Sequence, residues 1–156
     1  MYELERISLH NWNMVSAQDI EIRGATCFIG PTGAGKSSIV DAIQTVVTGN
    51  HSRRLKLNAA VEGRDQRNVR DYCLGVVDDL PADRAHPDNP EGLRARCEST
   101  IVLTFRDTDS GLPVAVGVML RANVDERRER ENARFIADGL TFRIGDHMET
   151  GADGGQ

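Results

Sequence analysis

The chain has 156 residues, 39% of them hydrophobic but only 4% aromatic, and a formal net charge of −5. That length suits one domain with a mainly aliphatic core. The acidic balance excludes a chain that is basic throughout and binds nucleic acid by bulk charge. No apolar run reaches the length of a membrane span, and the first residues, Met1 to Arg6, do not read as a signal peptide. Cys27, Cys73 and Cys97 form no CxxC pair and read as reduced thiols of a cytoplasmic protein. The histidines, His10, His51, His86 and His147, are scattered, which argues against a metal site built from them.

In chain order, residues 3–9 carry Leu4, Ile7 and Leu9 among charged neighbours and read as a strand. His10, Asn11, Trp12 and Asn13 follow as a turn holding the only tryptophan. Residues 18–23 alternate polar and apolar, the pattern of a half-exposed strand, and Gly24 breaks it. Residues 25–29 then read as a buried strand.

Next comes the run Gly30, Pro31, Thr32, Gly33, Ala34, Gly35, Lys36, Ser37, which fits G-x-x-x-x-G-K-[ST]. Strand before and helix after is the context a phosphate-binding loop requires. Glycines at 30, 33 and 35 let the backbone turn its N–H groups toward one point. The following helix, expected over residues 37–47 with Gly49 as its C-terminal cap, aims its positive end there too. Lys36 is then placed for the β- and γ-phosphates of ATP, and the Ser37 hydroxyl for Mg²⁺.

Residues 51–70 turn basic, with Arg53, Arg54, Lys56, Arg64, Arg67 and Arg70 against Glu62 and Asp65. By itself such a stretch reads as a solvated basic loop. Residues 68–74 read as a short helix, and 78–90, with three prolines, as a surface loop. Strands are expected over 99–105 and 112–123 about a turn at 107–111, then a solvated tip over 125–134. Two more short strands are expected at 132–137 and 140–144. Residues 1–150 thus make one lobe, with 151–156 a flexible tail.

A complete P-loop NTPase also places an acid at the end of a second buried strand. The nearest match, Leu74 to Val77 followed by Asp78 and Asp79, is short and broken by Gly75. The tail Ala152, Asp153, Gly154, Gly155, Gln156 looks like an ABC signature but opens no helix, and reads as coincidence. No complete catalytic set is therefore legible.

The early phosphate loop, the strand–turn–strand before it and the run from Lys36 to Ile43 resemble the N-terminal head segment of SMC proteins. Leu9 to Asn13, and the stretch from Glu62 to Tyr72 and Cys73, are similar to the MukB-like branch, nearest the MksB or JetC type of the Wadjet anti-plasmid system. The resemblance implies an α/β P-loop NTPase fold, the N-terminal lobe of an ABC-type head, with a mixed sheet and an antiparallel β meander. It implies a C-terminal head lobe of the same protein, a second SMC-like head, kleisin and winged-helix (KITE) subunits, DNA as partner, and a nucleoid or plasmid setting. By position, Ser38 would touch the α-phosphate, Asn11, Trp12 and Asn13 would lie on the base and ribose side, and Arg53, Arg54, Lys56, Arg64, Arg67 and Arg70 would meet DNA phosphates on the top of the head, independent of sequence. Packing between strand and helix is the alternative for Trp12. A RecF- or RecN-like repair ATPase lobe, a small P-loop kinase and a non-catalytic interaction module are the competing readings. The kinase is disfavoured by a second half that reads as strands without helices.

Overall fold

The computed structural model describes residues 1–49, 57, 68–78 and 80–148. Five strands form one sheet: β1 (Tyr2–Trp12), β2 (Val15–Glu21), β3 (Arg96–Asp107), β4 (Pro113–Asn123) and β5 (Arg130–Asp138). Their order is β2-β1-β3-β4-β5, and every pairing is antiparallel. Among the described residues three helices accompany them: α1 (Lys36–Thr48), α2 (Val69–Leu74) and α3 (Ile144–His147).

Side-chain alternation assigns the two faces of the sheet. Ile7 and Leu9 of β1, Ile101 and Leu103 of β3, and Val118, Leu120 and Ala122 of β4 point to one side. There they meet Ala42 and Val46 of α1 and Val69, Tyr72, Cys73 and Leu74 of α2, making the main core. The opposite face holds Arg6, Ser8, Thr100, Val102, Thr104 and Ala115, all buried. Phe142 and Ile144 from the chain after β5 cover Val102 and Ala115 there. Arg6 ties this cover down by donating to the Phe142 carbonyl at 3.2 Å, while its other nitrogens hold Glu21.

Local chemistry explains the element ends. α1 stops where Gly49 takes φ +76°, a left-handed value that glycine adopts without strain, and its N–H returns to the Thr45 carbonyl. α2 starts in a capping box: the Asn68 side chain accepts from the Asp71 N–H and Asp71 reciprocates. These two helices, and the strands flanking the turn at 107–111, follow the sequence expectation closely.

Three expectations need correction. Among the described residues the sheet is antiparallel throughout, not mixed. Residues 25–29 form no strand: among the described residues no ladder faces them, Cys27 is exposed, and Ile29 is 90% exposed. An apolar run becomes a strand only where another strand accepts its N–H and C=O groups. Residues 140–144 form no strand either; they run as cover over the sheet and enter α3 at Ile144. In addition, β1 continues through the expected turn as far as Trp12, so the reversal falls at Asn13 and Met14. The expected tail at 151–156 lies outside the described residues.

Candidate nucleotide-binding site

The loop from Gly30 to Gly35 follows the irregular segment after β2 and enters α1 directly. Gly33 and Gly35 take φ +83° and +84°, values that cost other residues strain. A Cβ on either would meet nothing within 4 Å, so the requirement there is conformational. Gly30 differs: its Cβ would come 3.2 Å from that of Ala34. Lys36 folds back over the loop, its Nζ donating to the Gly30 and Pro31 carbonyls at 2.7 Å each. The chain thus closes into a small ring around the N-terminus of a 13-residue helix.

Ring and helix end together fit a triphosphate with Mg²⁺. Free N–H groups and the helix dipole supply the anion site. The ammonium of Lys36 is already at the loop, and Ser37 at the second helical position is exposed. Pro31, Thr32 and Ala34 are exposed on the same rim.

The first turn of α1 is held from below. Trp12 Nε1–H donates to the Ser38 carbonyl at 2.8 Å, and Asn13 Nδ2 to Ser38 Oγ at 2.7 Å. Trp12 is fully buried and stacks on Tyr72 with ring centroids 4.8 Å apart and planes 12° apart. The Tyr72 hydroxyl donates to Asp41 one turn further along α1, and the Tyr72 carbonyl accepts from the Asn13 N–H at 2.7 Å. Arg94 completes the anchor by donating to the carbonyls of Asn13 and Val15. Asn13 itself sits at φ +50° and is 6% exposed.

This geometry sorts the expected site residues. Gly30 to Ser38 come together as one loop and helix start. Trp12 is not on the base side of an open site: its ring lies within the core and its one donor is used by Ser38, the packing alternative. Asn11 is part-exposed, with Nδ2 on the Glu98 carbonyl at 3.0 Å. Ser38 is 8% exposed, so its backbone and buried hydroxyl are framework for the loop.

Arg70 is likewise structural. Its guanidinium donates to the carbonyls of Asn123, Val124 and Glu126 at 3.3, 2.8 and 2.6 Å and faces Asp71 at 3.5 Å. A fork spent on the β4–β5 connection is not available for DNA phosphate. Arg53, Arg54, Lys56, Arg64 and Arg67 lie outside the described residues, as do Asp79 and Gln156. Asp78 is on an exposed turn after α2 rather than at the end of a buried strand.

Tyr72, Asp41 and Arg94 were not singled out from sequence. The capping box marked the helix that carries Tyr72, but no local signal joins Tyr72 to Trp12, sixty positions away in the chain.

Glycine ring, lysine and helix N-terminus define a P-loop segment, a nucleoside-triphosphate-binding device. Residues 4–64 match the family described as the P-loop containing region of AAA domain. The chain is also similar to the chromosome partition protein Smc of Methanocaldococcus jannaschii, with 39% identity over 59 residues. That similarity covers 37% of this chain but only 5% of the Smc protein. The N-terminal part is thus similar to a P-loop region and to the matched segment of that Smc protein, of whose length the chain spans a small fraction.

Proposed function

We propose that this chain is the ATP-binding N-terminal lobe of an SMC-like ATPase head, of the MukB, MksB or JetC type. ATP with Mg²⁺ sits on Gly30 to Ser37, held by the ring N–H groups, Lys36 and the Ser37 hydroxyl. The lobe works with a C-terminal head lobe, dimerises with a second head on ATP, and joins kleisin and KITE subunits on DNA. ATP hydrolysis belongs to that assembly, in chromosome organisation or plasmid defence in the cytoplasm. Arg53, Arg54, Lys56, Arg64 and Arg67 are the candidates for DNA phosphate contact, with Arg70 removed from that set.

The observation that carries this reading is α1 with its phosphate loop. Ala42 and Val46 face the sheet, while Val40 and Val47 on its other side are 44% and 68% exposed, and Ile29 in the segment before the loop is 90% exposed. A helix apolar on both faces is normally buried on both. A further layer packed against α1 would also supply the missing ladder for residues 25–29. A small kinase of this size would have to cover the same surface itself.

Lys36→Ala tests the site. Titration of Mg·ATP by calorimetry is expected to lose all measurable heat while the far-ultraviolet circular dichroism is unchanged, because among the described residues Lys36 hydrogen-bonds to two carbonyls of its own loop. Retained affinity would overturn the assignment. Charge reversal at Arg53 and Arg54 in the assembled protein is expected to weaken DNA binding and flatten its salt dependence.

A further inference from the structure

β5 is an outer strand of the sheet, and among the described residues only β4 pairs with it. That pairing is regular from Val114↔Asp138 to Met119↔Ala133; its irregularity falls between Met119 and Leu120, opposite the first part of β5. The Gly139 N–H donates to the Pro113 carbonyl at 2.8 Å, which fixes the alternation of the ladder. Ala133, Phe135 and Ala137 therefore spend their N–H and C=O groups on β4, and Arg134, Ile136 and Asp138 turn theirs outward. Such a row of outward backbone groups is a template for another strand.

The side chains of Arg134, Ile136 and Asp138 share the face on which α1 lies. Arg134 donates to the Val46 carbonyl at 2.7 Å and to both oxygens of Glu131. Ile136, 72% exposed, borders a groove with Val116 and with Val47, itself 68% exposed. Asp138 is exposed, and among the described residues its carboxylate has no hydrogen-bond or ion-pair partner.

We propose that β5 is a self-association edge: a second copy of this chain adds its own β5 antiparallel, about a two-fold axis through Ile136, so that one sheet runs across both copies. A two-fold contact is isologous, so the edge must be complementary to itself. Charge selects the register. About Ile136, Arg134 of each copy lies opposite Asp138 of the other, and Ile136 meets Ile136. About Arg134 or about Asp138, like charges would meet on the axis. About Phe135, Arg134 would face Ile136; about Ala137, Ile136 would face Asp138. Opposite charges directly across an antiparallel pair stabilise it and like charges destabilise it.

The register about Ile136 also uses the backbone fully. Arg134, Ile136 and Asp138 are the positions with outward groups, and each opposed pair exchanges two N–H···O bonds. Arg134 keeps its contacts to Val46 and Glu131, because a guanidinium has N–H groups to spare for Asp138 of the second copy. The two Ile136 side chains cover one another and the grooves beside Val47. Gly139, at φ +73°, then turns the chain off the edge and ends the shared ladder at Asp138. This edge lies toward the C-terminal end of α1, where Arg134 meets Val46, and the phosphate loop lies at its other end. Association is therefore independent of nucleotide.

Sedimentation equilibrium of the full chain, without nucleotide, tests the proposal. A monomer–dimer equilibrium is expected with a midpoint of about 10–100 μM, since so short a ladder stands at the weak end of specific interfaces. A chain that stays monomeric at millimolar concentration would overturn it. Asp138→Arg, which sets like charges opposite Arg134 twice, should weaken the dimer by at least roughly tenfold. Ile136→Pro should abolish it with circular dichroism unchanged, because proline suits an outer strand whose N–H faces solvent. A dimer indifferent to both substitutions does not use this edge. In a Cys27→Ser chain, Ile136→Cys should form a disulfide-linked dimer on mild oxidation, since Cα atoms of an opposed hydrogen-bonded pair lie about 5.5 Å apart, within disulfide range. Tyr2→Cys, at a position 63% exposed, should not; equal cross-linking of the two would count against the register. Lys36→Ala should leave association unchanged. A dimer seen only with Mg·ATP and lost in Lys36→Ala would overturn this proposal while leaving the nucleotide site standing.

Discussion

Trp12 Nε1–H donates to the carbonyl of Ser38 at 2.8 Å, joining the end of β1 to the first turn of α1 across 26 positions of sequence. The same indole stacks on Tyr72 of α2. Trp12→Phe keeps the stack and loses the hydrogen bond, a cost of about 1 kcal/mol. Trp12→Ala loses both and leaves a cavity, about 3–5 kcal/mol. Urea unfolding followed by circular dichroism measures both, and an Ala variant as stable as the parent would contradict the anchor.

Gly35→Ala isolates the cost of the loop conformation. The added methyl meets no atom, so only the backbone at φ +84° resists, by about 1–2 kcal/mol. If the loop relaxes to relieve this, Mg·ATP affinity should fall by roughly tenfold. Calorimetry on the variant checks it. Equal affinity would mean that the ring does not need its left-handed turn.

Arg70→Ala is expected to lower stability by about 2–3 kcal/mol, because it strips three carbonyls of one charged donor. Arg70→Lys should restore little, since an ammonium lacks the planar fork. DNA affinity of the assembled protein, and its salt slope, should be unchanged at a temperature where the variant is folded. A reduced slope would return Arg70 to the DNA-contacting set.

Asp107 gives a pH dependence. The Ser110 hydroxyl, then the Asp109 N–H, hold its carboxyl down to about 2 from an ordinary 3.8. A carboxylate with a depressed folded-state value adds stability that is complete above the ordinary value and is lost as pH falls toward about 2. The stability gap between the parent and Asp107→Asn should therefore be widest near neutrality and close across that acid window. A gap that persists below pH about 2 would rule out this origin.

Much of the local structure was legible because its causes are local. The capping residues around α2, Gly49 after α1 and the β-branched run of β3 each specify an element from neighbouring residues alone. The strand expected over residues 25–29 failed for a non-local reason: its composition is right, but a strand also needs a ladder. Residues 140–144 failed in the same way, drawn across the sheet by Phe142 and Ile144 instead of along its edge.

The sequence by itself determined the glycine ring, Lys36 and Ser37, because a phosphate loop needs only near neighbours: glycines for the turns and a helix to end it. Tertiary structure decided what the surrounding polar and aromatic groups do. It took Trp12 into the core, spent Arg70 on three carbonyls and set the Cys97 thiol on the Cys73 carbonyl. Each of those assignments depends on a partner far away in the chain, and only packing of the sheet against α1 and α2 brings the partners together.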